Sequence, residues 1–469
     1  MISVLFSVIG IIIISSCSGD QSTVATVGGH KITLDQYKEA YLQVLKQPRA
    51  YDSPEIREKF LDELIDQYLL AEQARKKGVA DQERFKLRLE AYRDKCLRDA
   101  HYKYVIQPQI SLDSAEIKEI YAFTRQKRKI RHLFYPDSTT ADSIYHLLNQ
   151  GGDWNFQARQ TFGDSALAES GGDLGWVYWD QMEYDLAMTV FRLPLHQISK
   201  PVHSTWGYHL LCMDNFEVDP LISQDDYLSH YAKTQQMVES KKGEKIAYDY
   251  ITALMKDVKI QINPQRLQQV GEQLRLILTR APKAFDQMNE QQLTTQELKR
   301  IEDNIWDYRN EVLATIDGQN LTMAGFAGLL NYIPYQAMQR SLKTTLDYAI
   351  RDFVLTEEAR KMRLDQKDPQ VKIKTDLFAS YSLQSDYRSD LLRTVTVTDQ
   401  DIDAYMQKNQ VAISGNPPGQ DLRAMIGQMI LNQKKIALLN ETLQYLRQSQ
   451  SITKHVQVIH DYYNRLSLN

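Results

Sequence analysis

Three cysteines in 469 residues are too few for a disulfide framework, and no CxxC pair occurs, so a thiol-clustered metal site is excluded as well. An excess of one charge is also missing. Lysine and arginine number 56 against 60 acids, a formal net charge of −4, and nucleic acid is not expected as the main partner. After the N-terminal segment no run reaches the roughly 20 apolar residues that a bilayer crossing needs. Neither GxGxxG nor Gly-Lys-Ser/Thr is present. The clustered glycines of Gly171-Gly172-Asp173-Leu174-Gly175-Trp176 therefore read as a tight turn feeding a strand, not as a phosphate cradle. No cofactor and no metal is expected.

The N-terminus supplies the first positive signal. Val4 to Ile14 is apolar except for Ser7 and Gly10, too short to span a membrane and suited to the h-region of a signal peptide, although no Lys or Arg precedes it. Ile14-Ser15-Ser16-Cys17 resembles a bacterial lipobox. The resemblance implies a lipidated Cys17, a polar tether from Ser18, and a membrane attachment made by lipid alone. Cys96, in a charged helical stretch, and Cys212, in a strand-like one, are expected to be buried free thiols.

The chain repeats itself over a long distance. Ala25-Thr26-Val27-Gly28-Gly29-His30-Lys31-Ile32-Thr33 returns as Ala314-Thr315-Ile316-Asp317-Gly318-Gln319-Asn320-Leu321-Thr322, and Glu72-Gln73-Ala74-Arg75-Lys76 as Glu357-Glu358-Ala359-Arg360-Lys361. Asp113-Ser114-Ala115-Glu116-Ile117 likewise aligns with Thr398-Asp399-Gln400-Asp401-Ile402, both helix starts of capping-box type. A near-constant offset across such lengths indicates duplication of a supersecondary unit. Each copy reads as a short strand with a Gly turn, a capped helix (Thr33 with Gln36 in the first), and a longer amphipathic helix. Phe60-Leu61-Leu64-Ile65-Tyr68-Leu69 and Leu342-Leu346-Ile350-Val354 form its apolar stripe, whose first role is core packing. A return helix is expected at about Tyr227–Lys256 and its counterpart at Leu422–Leu446, after a Gly/Pro loop at Ser414–Gly419. The polar stretch Lys283–Asp307 reads as a helix or linker joining the halves. The basic run Arg125–Arg131 reads as a solvated linker and strand edge, with acidic clients or lipid headgroups as further candidates for it.

Between the helix at Ile117–Tyr121 and the return helix lie four blocks. Ile130-Arg131-His132-Leu133-Phe134 reads as a strand, and Gly171–Trp176, Ile198-Ser199-Lys200-Pro201-Val202 and Gly207-Tyr208-His209-Leu210-Leu211 follow. In order and spacing they resemble the parvulin family of peptidyl-prolyl cis/trans isomerases. The resemblance implies that His132 and His209 face each other on the floor of a catalytic site as neutral tautomers, with Ser204 or Thr205 as neighbouring hydroxyl. It places Asp164, eight residues before Gly172, near the substrate carbonyl as a third catalytic residue. Met182 and Phe191 fall at apolar positions of the proline pocket, and Leu186 stands where the family usually has Phe. Taken singly, either histidine also reads as a satisfied core residue, and Asp164 as a turn cap.

The whole layout resembles SurA- and PrsA-like periplasmic foldases. It implies an α+β multidomain chain of mostly α-helical, duplicated chaperone modules, plus one parvulin-like domain with a small antiparallel sheet covered by helices. The expected divisions are a signal peptide (1–16), a lipidated tether (17–24), a first helical module (25–126), a parvulin-like domain (127–217), a return helix and linker (218–310), and a second module without the insert (311–469). The implied activity is X-Pro isomerisation with chaperone action on unfolded or nascent exported polypeptides, X-Pro-containing and aromatic-rich, outer-membrane β-barrels among them. The implied location is periplasmic, membrane-anchored, outer membrane before inner. The rivals are a non-catalytic holdase with a degenerate isomerase domain, and a structural envelope subunit.

Overall fold

Gly28 (φ +55°) and Gly29 (φ +89°) turn the chain between β1 (Thr23–Val27) and β2 (His30–Thr33). Two successive left-handed residues make the mirror-image turn whose twist suits a tight hairpin. The helix Leu34–Leu45 then starts on a reciprocal cap: the Gln36 amide donates to Thr33 Oγ1 at 3.2 Å and the Thr33 amide to Gln36 Oε1 at 3.0 Å. Ser53 caps the next helix, Pro54–Lys76, which buries Leu61, Leu64, Ile65, Tyr68 and Leu69 along one face. Each such side chain contributes about 1.5–3 kcal/mol, so this stripe anchors the region. The computed structural model describes residues 22–48, 50–219, 224–279, 292–409 and 422–467; the Val4–Ile14 segment, Cys17 and the Ser414–Gly419 loop lie outside them. The chain forms two compact units, Tyr102–Val258 and the remainder on either side of it.

The Tyr102–Val258 unit is built on four antiparallel strands: β3 (Gln126–Tyr135), β4 (Asp173–Val177), β5 (Val202–Ser204) and β6 (Gly207–Val218), in the order β4-β3-β6-β5. Alternation along β3 divides the two faces. Leu133 and Tyr135, with Leu210, pack under the helices Ser138–Asn149 and Trp154–Thr161. Ile130 and Leu211 lie on the other face, in a core shared with Ile120, Trp179, Phe191 and Val238. Val238 belongs to the return helix, which runs over Gln224–Met255.

Two expectations are corrected here. The basic run is neither linker nor edge, because it enters the central strand. Lys127 pairs with Glu217 at 2.8 Å, Lys129 with Asp173 at 3.4 Å and Arg131 with Asp214 at 2.7 Å, while Arg128 lies between the Phe191 and Phe216 rings. The capping box at Asp113 is only half formed. Asp113 accepts from the Ala115 amide, but Glu116 turns away to Lys242 and Tyr184.

The second copy repeats the first in detail. A short strand, β7 (Ile260–Ile262), comes first, then the hairpin β8 (Val312–Ile316) and β9 (Gln319–Thr322) around Asp317 (φ +47°) and Gly318 (φ +81°). Thr26↔Lys31 and Thr315↔Asn320 are equivalent pairs, and a bulge interrupts both ladders at the same place. The third strands, however, are exchanged. β7, which follows the first copy's return helix, pairs with β8, setting Ile260 opposite Ile316. β10 (Ile452–Lys454), at the end of the second copy, pairs with β1, setting Ile452 opposite Val27. The helices interlock as well. Cys96 and Leu97 pack with Ala359, Leu364 and Val371, and Ala74 and Phe85 with Leu383. Cys96 and Cys212 are buried and free, and burial pushes the Cys96 thiol up to about 11. Among the described residues no helix is long and apolar enough to cross a membrane.

Candidate active site

The antiparallel register of β3 and β6 sets His132 opposite Leu211 and Phe134 opposite His209. The two histidines are thus diagonal neighbours on one face of the sheet, within reach of each other. Their rings lie 18° from parallel with centroids 5.7 Å apart, and the Nδ1 atoms meet at 3.4 Å. Phe162 stacks on His132 at 5.1 Å and Phe134 tilts against His209 at 5.3 Å, so aromatic rings enclose the pair. Phe134 follows from strand alternation once His132 is placed; nothing in the sequence marked Phe162.

Ser204 ties His209 to the β5–β6 turn. Its buried Oγ accepts from the Trp206 amide at 3.1 Å, donates to the Gly207 carbonyl at 3.3 Å and lies 2.8 Å from His209 Nε2. Across the Nδ1–Nδ1 contact one ring donates and the other accepts. His132 Nε2 is buried without a hydrogen-bond partner. Burial, helped by the neighbouring imidazole, holds the His132 pKa down to about 4, and burial also lowers that of His209 against the pull of Glu183. Both rings are neutral near pH 7, and hydrogen-bond contacts run from Ser204 through His209 to His132 beside the Phe134 and Phe162 rings.

Glycine makes this geometry possible. Gly172 has φ +75°, its carbonyl accepts from the His132 amide at 2.9 Å, and a Cβ placed on it would sit 2.0 Å from the His132 carbonyl oxygen. Only a residue without a side chain lets the turn approach β3 so closely.

The other expected residues are less uniform. Asp164 is exposed and caps the short helix Ser165–Glu169 through the Leu167 amide at 2.9 Å. Among the described residues it makes no hydrogen bond to either histidine. Met182 and Leu186 are half-buried and pack on the Trp179–Phe191 core. Phe191, expected in the pocket, is instead a core residue only 3% exposed, its ring tilted 45° against Phe123 at 5.6 Å. Thr205 is exposed, its amide and hydroxyl both donating to Glu183, at 3.0 and 2.5 Å. Glu183 itself gave no sequence signal. No cluster of potential metal ligands occurs among the described residues.

Residues 114–215 match the family of PPIC-type PPIase domains, and residues 1–86 the family of SurA-like N-terminal domains. The chain carries a PPIC-type isomerase domain beside a SurA-like one. The chain is similar to the foldase protein PrsA of Caldanaerobacter subterraneus, 26% identical over 279 residues, 52% of this chain and 90% of that one. It is also similar to a probable parvulin-type peptidyl-prolyl cis-trans isomerase of Bordetella pertussis, 29% identical over 200 residues, 41% and 77% of the two chains. A crystal structure of a PpiC-type isomerase domain aligns at 26% identity over 21% of this chain and 99% of its own, with a TM-score of 0.20. The paired histidines lie within the matched residues 114–215.

The other unit, which contains the SurA-like segment, has a separate feature. A groove of about 640 Å³ runs between helices of both copies, with Phe60, Leu64, Tyr92, Phe378 and Tyr381 on its walls. Tyr92 and Phe378 stack at 4.0 Å and Tyr381 is 58% exposed. Lysines 46, 95 and 374 and glutamates 39 and 63 edge it.

Proposed function

We propose that the PPIC-type domain isomerises X-Pro bonds in unfolded exported polypeptides, while the unit containing the SurA-like segment holds those chains. The observation that carries the catalytic half is the Ser204–His209–His132 chain. Rotation about X-Pro faces a barrier near ~20 kcal/mol because amide conjugation must be broken. No bond to the enzyme is needed. As conjugation is lost, the lone pair returns to the imide nitrogen, and a fixed N–H donor binds that twisted state better than the planar one. In this reading the Ser204–His209–His132 network orders the floor of the site, Met182 and Leu186 grip the ring, and the enclosing aromatics exclude water. Asp164 contributes at the rim, by its field.

For holding, the reading rests on the groove shared by both copies, where aromatic faces and mixed charges suit an extended, aromatic-bearing segment. Residues 25–126 and 311–469 act together in it. Lipidation at Cys17 would keep the protein on the periplasmic side of a membrane, the outer before the inner, within reach of nascent β-barrel clients. The second reading is a holdase with a relic isomerase domain, favoured by Leu186 in the ring pocket and by the capping role of Asp164.

One comparison separates them: isomerisation of a short X-Pro peptide by wild type and His209→Ala, beside suppression of aggregation of an unfolded barrel protein. Acceleration lost in the variant, with holding intact, supports the isomerase. Holding without acceleration in the wild type supports the holdase.

A further inference from the structure

The return helix Gln224–Met255 does more than complete the core of the PPIC-type domain. Lys241, Lys245 and Tyr248, at steps of four and three, form one stripe facing the rim of the proline pocket. Lys241 Nζ donates to the carbonyl of Met182, a pocket residue. Lys245 lies 2.9 Å from Asp185 and 3.1 Å from Asp249, and the Tyr248 hydroxyl donates to the Thr205 carbonyl at 3.5 Å. Between this stripe and the β5–β6 turn a cleft of about 260 Å³ remains open. At roughly 30 Å³ per water that is room for a long side chain, not only for solvent.

The cleft continues the catalytic site. Ser204, whose hydroxyl holds His209, forms part of its wall, as does Glu183, the neighbour of Met182. Its charge is unbalanced. Four carboxylates (Glu183, Asp185, Glu244, Asp249) face two ammonium groups (Lys241, Lys245), an excess of two acidic side chains over lysines. Lys245 is shared between two acids, and Lys241 is engaged with a backbone carbonyl. Glu244 accepts from the Ser240 hydroxyl at 3.1 Å and attracts Lys241 electrostatically without an ion pair among the described residues. Low-dielectric walls around a half-enclosed anionic cleft focus its field on whatever enters.

We propose that this cleft is a second substrate subsite, which takes a lysine or arginine side chain flanking the proline being isomerised and disfavours an acidic one. The proposal rests on the isomerase reading of the neighbouring site. It gives the return helix a part in specificity, since without Lys245, Tyr248 and Asp249 the cleft has one wall.

The test uses the full chain and X-Pro peptides that differ only in Lys, Gln or Glu at the positions either side of the proline. Wild type should favour the Lys peptide over the Glu peptide about tenfold in kcat/KM, the effect of one partly screened attraction and one repulsion of similar size. In a Glu244→Gln/Asp249→Asn double variant, and in wild type at 1 M salt where screening reaches about 3 Å, the ratio should fall toward one. Equal turnover of the Lys and Glu peptides by wild type overturns the proposal, as does a ratio that survives in the double variant. If no peptide is accelerated, it is the isomerase reading that fails. Binding of the same peptides, followed by the fluorescence of the exposed Trp206, then decides the subsite: Lys-over-Glu preference supports it and equal affinity overturns it.

Discussion

His132 and His209 meet Nδ1 to Nδ1, although in the ladder each lies opposite a different residue. The contact needs one Nδ1 to stay unprotonated as acceptor, since protonating both would put two donors face to face. The unfolded chain protonates its histidines near pH 6.5, whereas His132 in the folded protein resists until about 4. Below pH 6.5 the unfolded state therefore binds more protons, and stability falls as pH falls, by about 2–3 kcal/mol in total, levelling off below 4. Urea unfolding of the full chain between pH 7.5 and 4.5 measures this slope, and His132→Asn should flatten it. Isomerase activity should be level from about pH 6.5 upward.

A second expectation concerns Gly172. Alanine there meets both a positive φ and the His132 carbonyl, so Gly172→Ala should destabilise the PPIC-type domain by about 2 kcal/mol or more. The turn must move to admit the methyl, and β3 shifts with it. Peptide isomerisation should drop further than the loss of folded protein accounts for. Gly163→Ala, where an added Cβ meets nothing, is the control.

The exchanged strands give a third. Deleting residues 450–469 removes β10 and leaves β1 with one exposed edge and the core around Tyr41 and Tyr68 without Ile459. Loss of aggregation suppression, with isomerase activity on short peptides retained, is the expected result. Limited proteolysis should then cut first within residues 22–48.

Much of this was legible in the sequence, and the exceptions have physical causes. The duplication showed because turn and cap chemistry is local: Gly28-Gly29 and Asp317-Gly318 need left-handed backbone wherever they occur. The histidine pair was expected from the parvulin resemblance of the blocks around it, and the β3–β6 register brings the two rings together. The strand exchange did not, since Ile260-Gln261-Ile262 and Ile452-Thr453-Lys454 are three-residue strands of similar chemistry that fit either hairpin. The basic run misled for a related reason. Its partners Asp173, Asp214 and Glu217 lie far along the chain, so its charges looked solvated when read alone. At Asp113 a local rule lost to a tertiary one, because Lys242 and Tyr184 compete for Glu116. The same holds for Lys241 and Lys245, which on an isolated helix look like a water-facing stripe.

The reciprocal closing of the two hairpins has a kinetic and thermodynamic consequence. When two separate molecules trade arms in this way, assembly is second order and the traded state dissolves on dilution. Here one polypeptide supplies both arms, and the tether replaces encounter with an effective concentration in the millimolar range or above. The groove lined by both copies is therefore assembled within one chain, at a rate and stability independent of protein concentration.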